Sequence, residues 1–280
     1  MTLIENSTYD EERALYASSD VHLINCSFDG EADGESALKE SNNILAENCF
    51  FNLRYPFWHI DVLTVADSEF TEKARAPFWY SNDVIIENCT INSPKSLREC
   101  AKIRVSSSKI ESNELGWNCN DLKMSNSSVQ GEYLFFNSKN LSLLEITLFG
   151  KYSLQYIENA TIEDSKLNTK DAFWHSKNVT VKNTVIKGEY LGWYSENLTL
   201  ENCTIIGTQP LCYCKGLTLI NCEMHDCDLA FEKSEVEATI TTPVISIKNP
   251  KSGHISVPLY NELIITESTN AKIESEATKI

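Results

Sequence analysis

One phrase, asparagine-apolar-x-apolar-x-asparagine-small-x-apolar, returns along most of this chain at a period of nineteen residues. It reads Asn178-Val179-Thr180-Val181-Lys182-Asn183-Thr184-Val185-Ile186, and then Asn197-Leu198-Thr199-Leu200-Glu201-Asn202-Cys203-Thr204-Ile205. With the first apolar residue as an anchor, Val84, Ile103, Leu122, Leu141, Ala160, Val179, Leu198, Leu217 and Val236 follow one another at steps of 19. The earlier anchors Val21, Ile44, Leu63 and Val84 are separated by 23, 19 and 21, so two turns near the start carry insertions. A unit this short cannot bury its own apolar face, and it becomes stable only by stacking on copies of itself.

Apolar residues at the anchor and two positions later alternate with polar ones, the pattern of a strand with one face buried. Nineteen residues are too few for the four strands of a propeller blade. The unequal sides and the insertions also break the six-residue symmetry of a left-handed solenoid, and parallel crossovers are generally right-handed. The sequence therefore predicts an all-β fold, a single-stranded right-handed parallel β-helix of roughly 12 turns. Residues 1–280 are read as one domain, with 1–15 an N-terminal cap, 16–236 the regular turns and 237–280 the C-terminal turns and cap.

Five residues past the anchor stand Cys26, Cys49, Cys89, Cys203 and Cys222, or Ser, Thr and Ile. These are expected to be free thiols in a column of small buried residues. The zinc alternative rests on Cys212, Cys214, Cys222 and Cys227, without a C-x-x-C pair; no metal and no cofactor is expected. Asn43, Asn140, Asn159, Asn178 and Asn197 form one corner column, and Asn25, Asn48, Asn88, Asn126, Asn183, Asn202 and Asn221 another. Asparagine tolerates left-handed backbone, so the many N-x-S/T sequences read as corners and not as glycosylation sites.

The formal net charge of -16 argues against nucleic acid and anionic lipid as partners. Met1 to Arg13 lacks the layout of a signal peptide, and no stretch approaches eighteen apolar residues. A cytoplasmic location is the expectation, and the sequence leaves the oligomeric state open.

All five tryptophans, Trp58, Trp79, Trp117, Trp174 and Trp193, lie five residues before an anchor. Phe57, Phe78, Phe135 and Phe173 precede them in one adjacent column, and His59, Tyr80, Tyr156, His175, Tyr194 and Tyr213 occupy the other. Read as a second strand, this segment buries one file and exposes the next. The small residues Ser81, Cys119, Ser176, Ser195 and Cys214 favour tryptophan inward. Tyrosine and histidine then form an outward strip suited to sugar rings.

Eight or nine residues before successive anchors stand Glu12, Glu35, Arg54, Arg75, Lys95, Glu114, Glu132, Lys151, Lys170 and Glu189. Arg54, Arg75 and Lys95 would put three cations on adjacent turns of an acidic protein, which suits a uronate, sulfate or phosphate group; a ladder of surface ion pairs is the plainer reading.

The segments Glu12-Arg13-Ala14-Leu15, Gly34-Glu35-Ser36-Ala37-Leu38-Lys39-Glu40-Ser41, Arg75-Ala76-Pro77-Phe78-Trp79-Tyr80, Asp171-Ala172-Phe173-Trp174 and Gly188-Glu189-Tyr190-Leu191-Gly192-Trp193 resemble a bacterial family of pectin-lyase-like β-helix proteins classed as a domain of unknown function. Asp228-Leu229-Ala230-Phe231-Glu232 and Lys248-Asn249-Pro250-Lys251-Ser252-Gly253 fit the same pattern. The resemblance spans nearly the whole chain. It implies the fold and a bacterial origin, and transfers no catalytic residue.

Larger proteins of this fold suggest a carbohydrate, by analogy alone. The Asp-Asp and His-Gly pairs expected of a galacturonan hydrolase are absent from the chain. His225, Asp226, Asp228 and Glu232 are a weak candidate for a calcium-dependent lyase. The stronger candidate lies in the first insertion, read as Glu35 to Ser41, where Glu35 or Glu40 would serve as acid or base. Lys39, Arg54, Arg75, Lys95, Tyr80, His175 and Tyr194 would bind the substrate.

Thr161, Thr180, Thr199 and Thr218 align as in an ice-binding solenoid, but Glu163, Lys182 and Glu201 occupy the second position and exclude it. The sequence thus points to binding or processing of an acidic carbohydrate along one face, by a lyase or glycoside hydrolase if it is an enzyme. A non-catalytic structural or protein-interaction scaffold is the second reading.

Overall fold

The computed structural model describes residues 1–275, and the last five residues of the expected C-terminal cap lie outside them. The chain is a right-handed parallel β-helix of about 19 residues per turn and about 14 turns, against the twelve expected. It divides into two compact units, Met1–Ser142 and Leu143–Ile280. No helix among the described residues is long and apolar enough to cross a membrane.

In the first unit the long strands Ser19–Ile24, Asn42–Glu47, Asp61–Ala66, Asn82–Glu87, Ala101–Ser106 and Asn120–Ser125 pair in parallel with their neighbours. The anchors stand in register, Val21 on Ile44, Leu63, Val84, Ile103 and Leu122, and all are buried. Short strands such as Phe50–Phe51 and Glu69–Phe70 form a second side, where Phe28, Phe51 and Phe70 stack inside. Removing a phenylalanine side chain from water contributes about 1.5–3 kcal/mol, so this inner file outweighs any single surface contact. The segment expected as an N-terminal cap contains the strands Thr2–Glu5 and Thr8–Tyr9, paired in register with Ser19–Ile24 and Ser27–Phe28.

In the second unit, Glu158–Glu163, Lys177–Lys182 and Glu196–Glu201 stack in the same way, with Ala160 on Val179 and Leu198. Beyond Leu217–His225 the repeat shortens. Glu235–Ile240, Ser252–Val257 and Asn270–Ser275 continue the long-strand sheet, while Val244–Lys248 and Tyr260–Ile264 form a separate two-stranded sheet.

Left-handed residues mark each bend. Asn25, Asn48, Asp67, Asn88, Ser107 and Asn126 all have φ between 49° and 54°. Their amides link turns: Asn25 donates to Asn6 at 3.3 Å, and in the second unit Asn197 donates to Asn178, and Asn178 to Asn159, at 3.0 and 3.1 Å. A non-glycine residue in this conformation costs about 1–2 kcal/mol, least for Asn and Asp, which explains the two corner columns.

The tryptophan segment is a turn and not the strand expected from the sequence. His59, Tyr80, His175 and Tyr194 have φ of 52–60°, and Phe135 and Phe173 are also left-handed, so simple in-out alternation does not apply. Phe57, Phe78, Phe135 and Phe173 point inward and are fully buried. The tryptophans are half-buried, which corrects the expectation that they face the core.

Candidate functional site

The corner that precedes each long strand carries most of the candidate residues. In the first unit the candidates fall on four turns of it, residues 34–41, 53–60, 74–81 and 93–100. Backbone bonds fix the register: Ser36 N–H donates to the Arg54 carbonyl, Tyr55 N–H to that of Arg75, and Ala76 N–H to that of Pro94. Glu35, Arg54 and Arg75 therefore share a column, while Lys95 lies one position later, in line with Tyr55 and Ala76. The insertion is also displaced. Glu35 to Ser41 is an ordinary corner, and the extra residues form a loop before it, where Asp33 N–H donates to Gly30 and Gly34 N–H to Asp10. A Cβ at Gly34 would stand 2.2–2.3 Å from the backbone of Glu11 and Glu12, so this loop closes only with glycine.

The cations are not equivalent. Arg54 faces Asp33 at 3.6 Å and Glu35 at 3.7 Å, and Lys95 faces Glu114 at 3.3 Å. Lys39 lies over the Trp58 ring at 5.6 Å. Arg98, which interrupts the tryptophan file, is held between Trp79 at 5.1 Å and Trp117 at 5.3 Å. Among the described residues Arg75 has no ion pair, side-chain hydrogen bond or ring contact, and it is exposed. Stacked turns are about 4.8 Å apart, so Arg75 and Arg54 are near neighbours whose repulsion in water is on the order of 1 kcal/mol.

Of the proposed acid and base, Glu35 is engaged by Arg54. Glu40 lies five residues on, in the column of His59 and Tyr80, where its N–H donates to the Trp58 carbonyl. The structure thus gathers Glu35, Lys39, Arg54, Arg75, Lys95 and Tyr80 on one corner of the first unit. It places His175 and Tyr194 in the second unit.

The outward aromatic files are ladders. Tyr80 stacks on His59 at 5.0 Å in the first unit. In the second, Tyr156, His175, Tyr194 and Tyr213 stack in succession at 5.0, 5.0 and 4.8 Å with interplanar angles of 8–12°. Tyr80 and Tyr156 are 46% exposed. Because each ring covers its neighbour's face, the ladders present mainly edges, hydroxyls and imidazole nitrogens to solvent. That is a hydrogen-bonding strip, with ring faces open only at its ends.

A family model described as protein of unknown function (DUF3737) matches residues 2–278. The chain belongs to this family. No curated protein matches it.

Solved structures similar to this family member include a surface adhesin of Streptococcus pneumoniae, PfbA, at 12% identity and a TM-score of 0.42, covering 98% of this chain and 86% of that one. Another is the A-module of the mannuronan C-5 epimerase AlgE4 of Azotobacter vinelandii, at 13% identity and a TM-score of 0.30, with 85% and 80% covered. A third is the catalytic domain of a GH87 α-1,3-glucanase in complex with tetrasaccharides, at 10% identity and a TM-score of 0.31, with 98% and 64% covered.

The cysteines of this family member are all buried and free. Burial pushes the Cys89 and Cys214 thiols up to about 11, and those of Cys212 and Cys227 up to about 12. Among the described residues no group of three or more His, Cys, Asp or Glu is placed to hold a metal ion, and Cys212, Cys214, Cys222 and Cys227 point their sulfurs at backbone carbonyls.

Sequence reasoning missed Asp171. It is 5% exposed, the one carboxylate buried among the described residues, and its side chain has no hydrogen bond or ion pair. Burial raises its pKa, against the opposing pull of Lys170. Its signal in the sequence was an acid in a corner column otherwise rich in tyrosine, between Tyr152 and Tyr190.

Proposed function

We propose that this protein binds an acidic glycan on the corner of its first unit and does not cleave it. The carrying observation is Arg75, an exposed guanidinium without a partner among the described residues, one turn from Arg54. A guanidinium offers a planar fork of donors that suits a carboxylate or sulfate, and a uronate or sulfated sugar would relieve its repulsion with Arg54. The turns 53–60 and 74–81 contain Arg54, His59 and Arg75 and no acidic residue, an exception on a chain of net charge -16. Half-buried Trp58 and Trp79 and the polar edges of His59 and Tyr80 lie beside these cations and supply surface for a sugar ring.

The acids of this corner are not set for cleavage. Glu35 is already committed to Arg54, and Glu40 stands at the far end of its corner segment. Affinity electrophoresis through gels containing polygalacturonate, alginate or heparin tests the binding. Retardation that weakens several-fold in Arg75→Ala and fades with salt supports the reading. Migration that is the same with and without glycan refutes it, and release of reducing or unsaturated ends would show an enzyme instead.

A further inference from the structure

Three pairs of the buried cysteines are stacked on adjacent turns in register. Ser27 pairs with Phe50, which places Cys26 beside Cys49; Ala101 pairs with Asn120, which places Cys100 beside Cys119; Thr204 pairs with Glu223, which places Cys203 beside Cys222. In all three the sulfurs are buried and donate to backbone carbonyls of their own or the preceding turn, as Cys49 does to Glu47 at 3.3 Å and Cys222 to Leu200 at 3.3 Å. Cys89 instead lies between Ser68 and Ser108, and the Ser108 hydroxyl accepts its N–H at 3.1 Å; Cys214 lies between Ser195 and Ser234. Stacked turns set paired Cα atoms about 4.8 Å apart, inside the range of about 4.4–6.8 Å that a disulfide spans.

We propose that these three pairs are oxidation sites, which peroxide converts to disulfides that staple one turn of the solenoid to the next. A thiolate of the pair attacks peroxide, giving a sulfenic acid and water. The partner sulfur then displaces a second water and forms the S–S bond, so two thiols and one peroxide yield one disulfide and two waters. One feature selects these sulfurs: each has its resolving partner on the adjacent turn in register, one strand spacing away, where Cys89 and Cys214 have serine neighbours instead. Burial makes the reaction slow, and in-register stacking makes it specific.

The test uses the full-length folded protein, incubated with hydrogen peroxide, quenched, denatured, alkylated and mapped as non-reduced peptides. The expected result is a fall in alkylatable thiols from ten towards four, with cross-links joining Cys26 to Cys49, Cys100 to Cys119 and Cys203 to Cys222. In Cys119→Ser the Cys100 cross-link should vanish while the other two persist. That comparison holds even if one single variant folds poorly, because Cys222→Ser provides the same test in the other unit. Ten thiols left intact, sulfinic or sulfonic acids without cross-links, or links between cysteines that are not stacked would each overturn the proposal.

Discussion

The indole N–H of Trp174 donates to the carbonyl oxygen of Tyr190 at 2.7 Å, from one turn to a corner of the next. Trp58, Trp79, Trp117 and Trp193 repeat the bond to Ala76, Lys95, Tyr133 and Gln209. Where tryptophan is missing at position 155, the Gln155 amide bonds to the Asp171 carbonyl at 3.2 Å. A left-handed corner turns its carbonyl away from the sheet ladder, and a donor five residues before the anchor satisfies it.

Trp174→Phe should therefore destabilise the fold by about 1–2 kcal/mol, since it keeps most of the ring but leaves a half-buried carbonyl unpaired. Urea unfolding followed by far-UV circular dichroism would measure it. Phe173→Ala, which empties a fully buried site, should cost about 3–5 kcal/mol, and a smaller loss there than at Trp174 would contradict this assignment of inside and outside.

Asn178 has φ of 53°, accepts from Asn197 and donates to Asn159. Asn178→Ala loses both amide bonds and leaves at this left-handed φ a side chain without the local polar group that makes asparagine tolerant there, for about 1–2 kcal/mol. Asn178→Gly loses the bonds but keeps the backbone relaxed, so it should be the milder change. Urea midpoints of the two variants give the comparison, and equal losses would show that the amides, and not the backbone, fix this corner.

Much of this architecture was legible because a constant period converts sequence spacing into vertical neighbourhood. The anchors, the asparagine corners and the buried small-residue column follow from the nineteen-residue step. The tryptophan segment was not legible, because alternation was read onto residues whose left-handed φ values undo it. The first insertion was misplaced by several positions, since the corner absorbs extra residues without disturbing the strands on either side. The ion pairs that separate Arg75 from Arg54 and Lys95 depend on Asp33, Glu35 and Glu114, whose reach no spacing rule supplies.

Cys89 occupies a column in which Ser68 and Ser108 pass hydrogen bonds between turns: each hydroxyl donates to the carbonyl two residues back, and accepts a backbone N–H from the preceding turn. The geometry is ready for a hydroxyl, so Cys89→Ser should change stability by less than about 1 kcal/mol. Cys89→Leu adds volume to a close-packed site and should cost about 1–3 kcal/mol. Thermal melts of both variants check the order.

Asp171 gives the pH dependence a specific source. Its folded pKa is raised by burial above the ordinary value of 3.8, so the folded chain holds that proton more tightly than the unfolded chain. Stability from this group is therefore greatest below the ordinary aspartate range, and it is lost as pH rises through the interval between the two values. At neutral pH the ionised carboxylate is partly withdrawn from water and lacks a protein hydrogen bond, and an asparagine at this position would remove that burden while keeping the shape and the left-handed φ of 56°. Asp171→Asn should accordingly match the parent at acid pH and exceed it at pH 7, with the gap opening just above the ordinary range. Urea midpoints measured across that range would show it, and a variant less stable than the parent at pH 7 would mean that the carboxylate has a partner which the fold depends on.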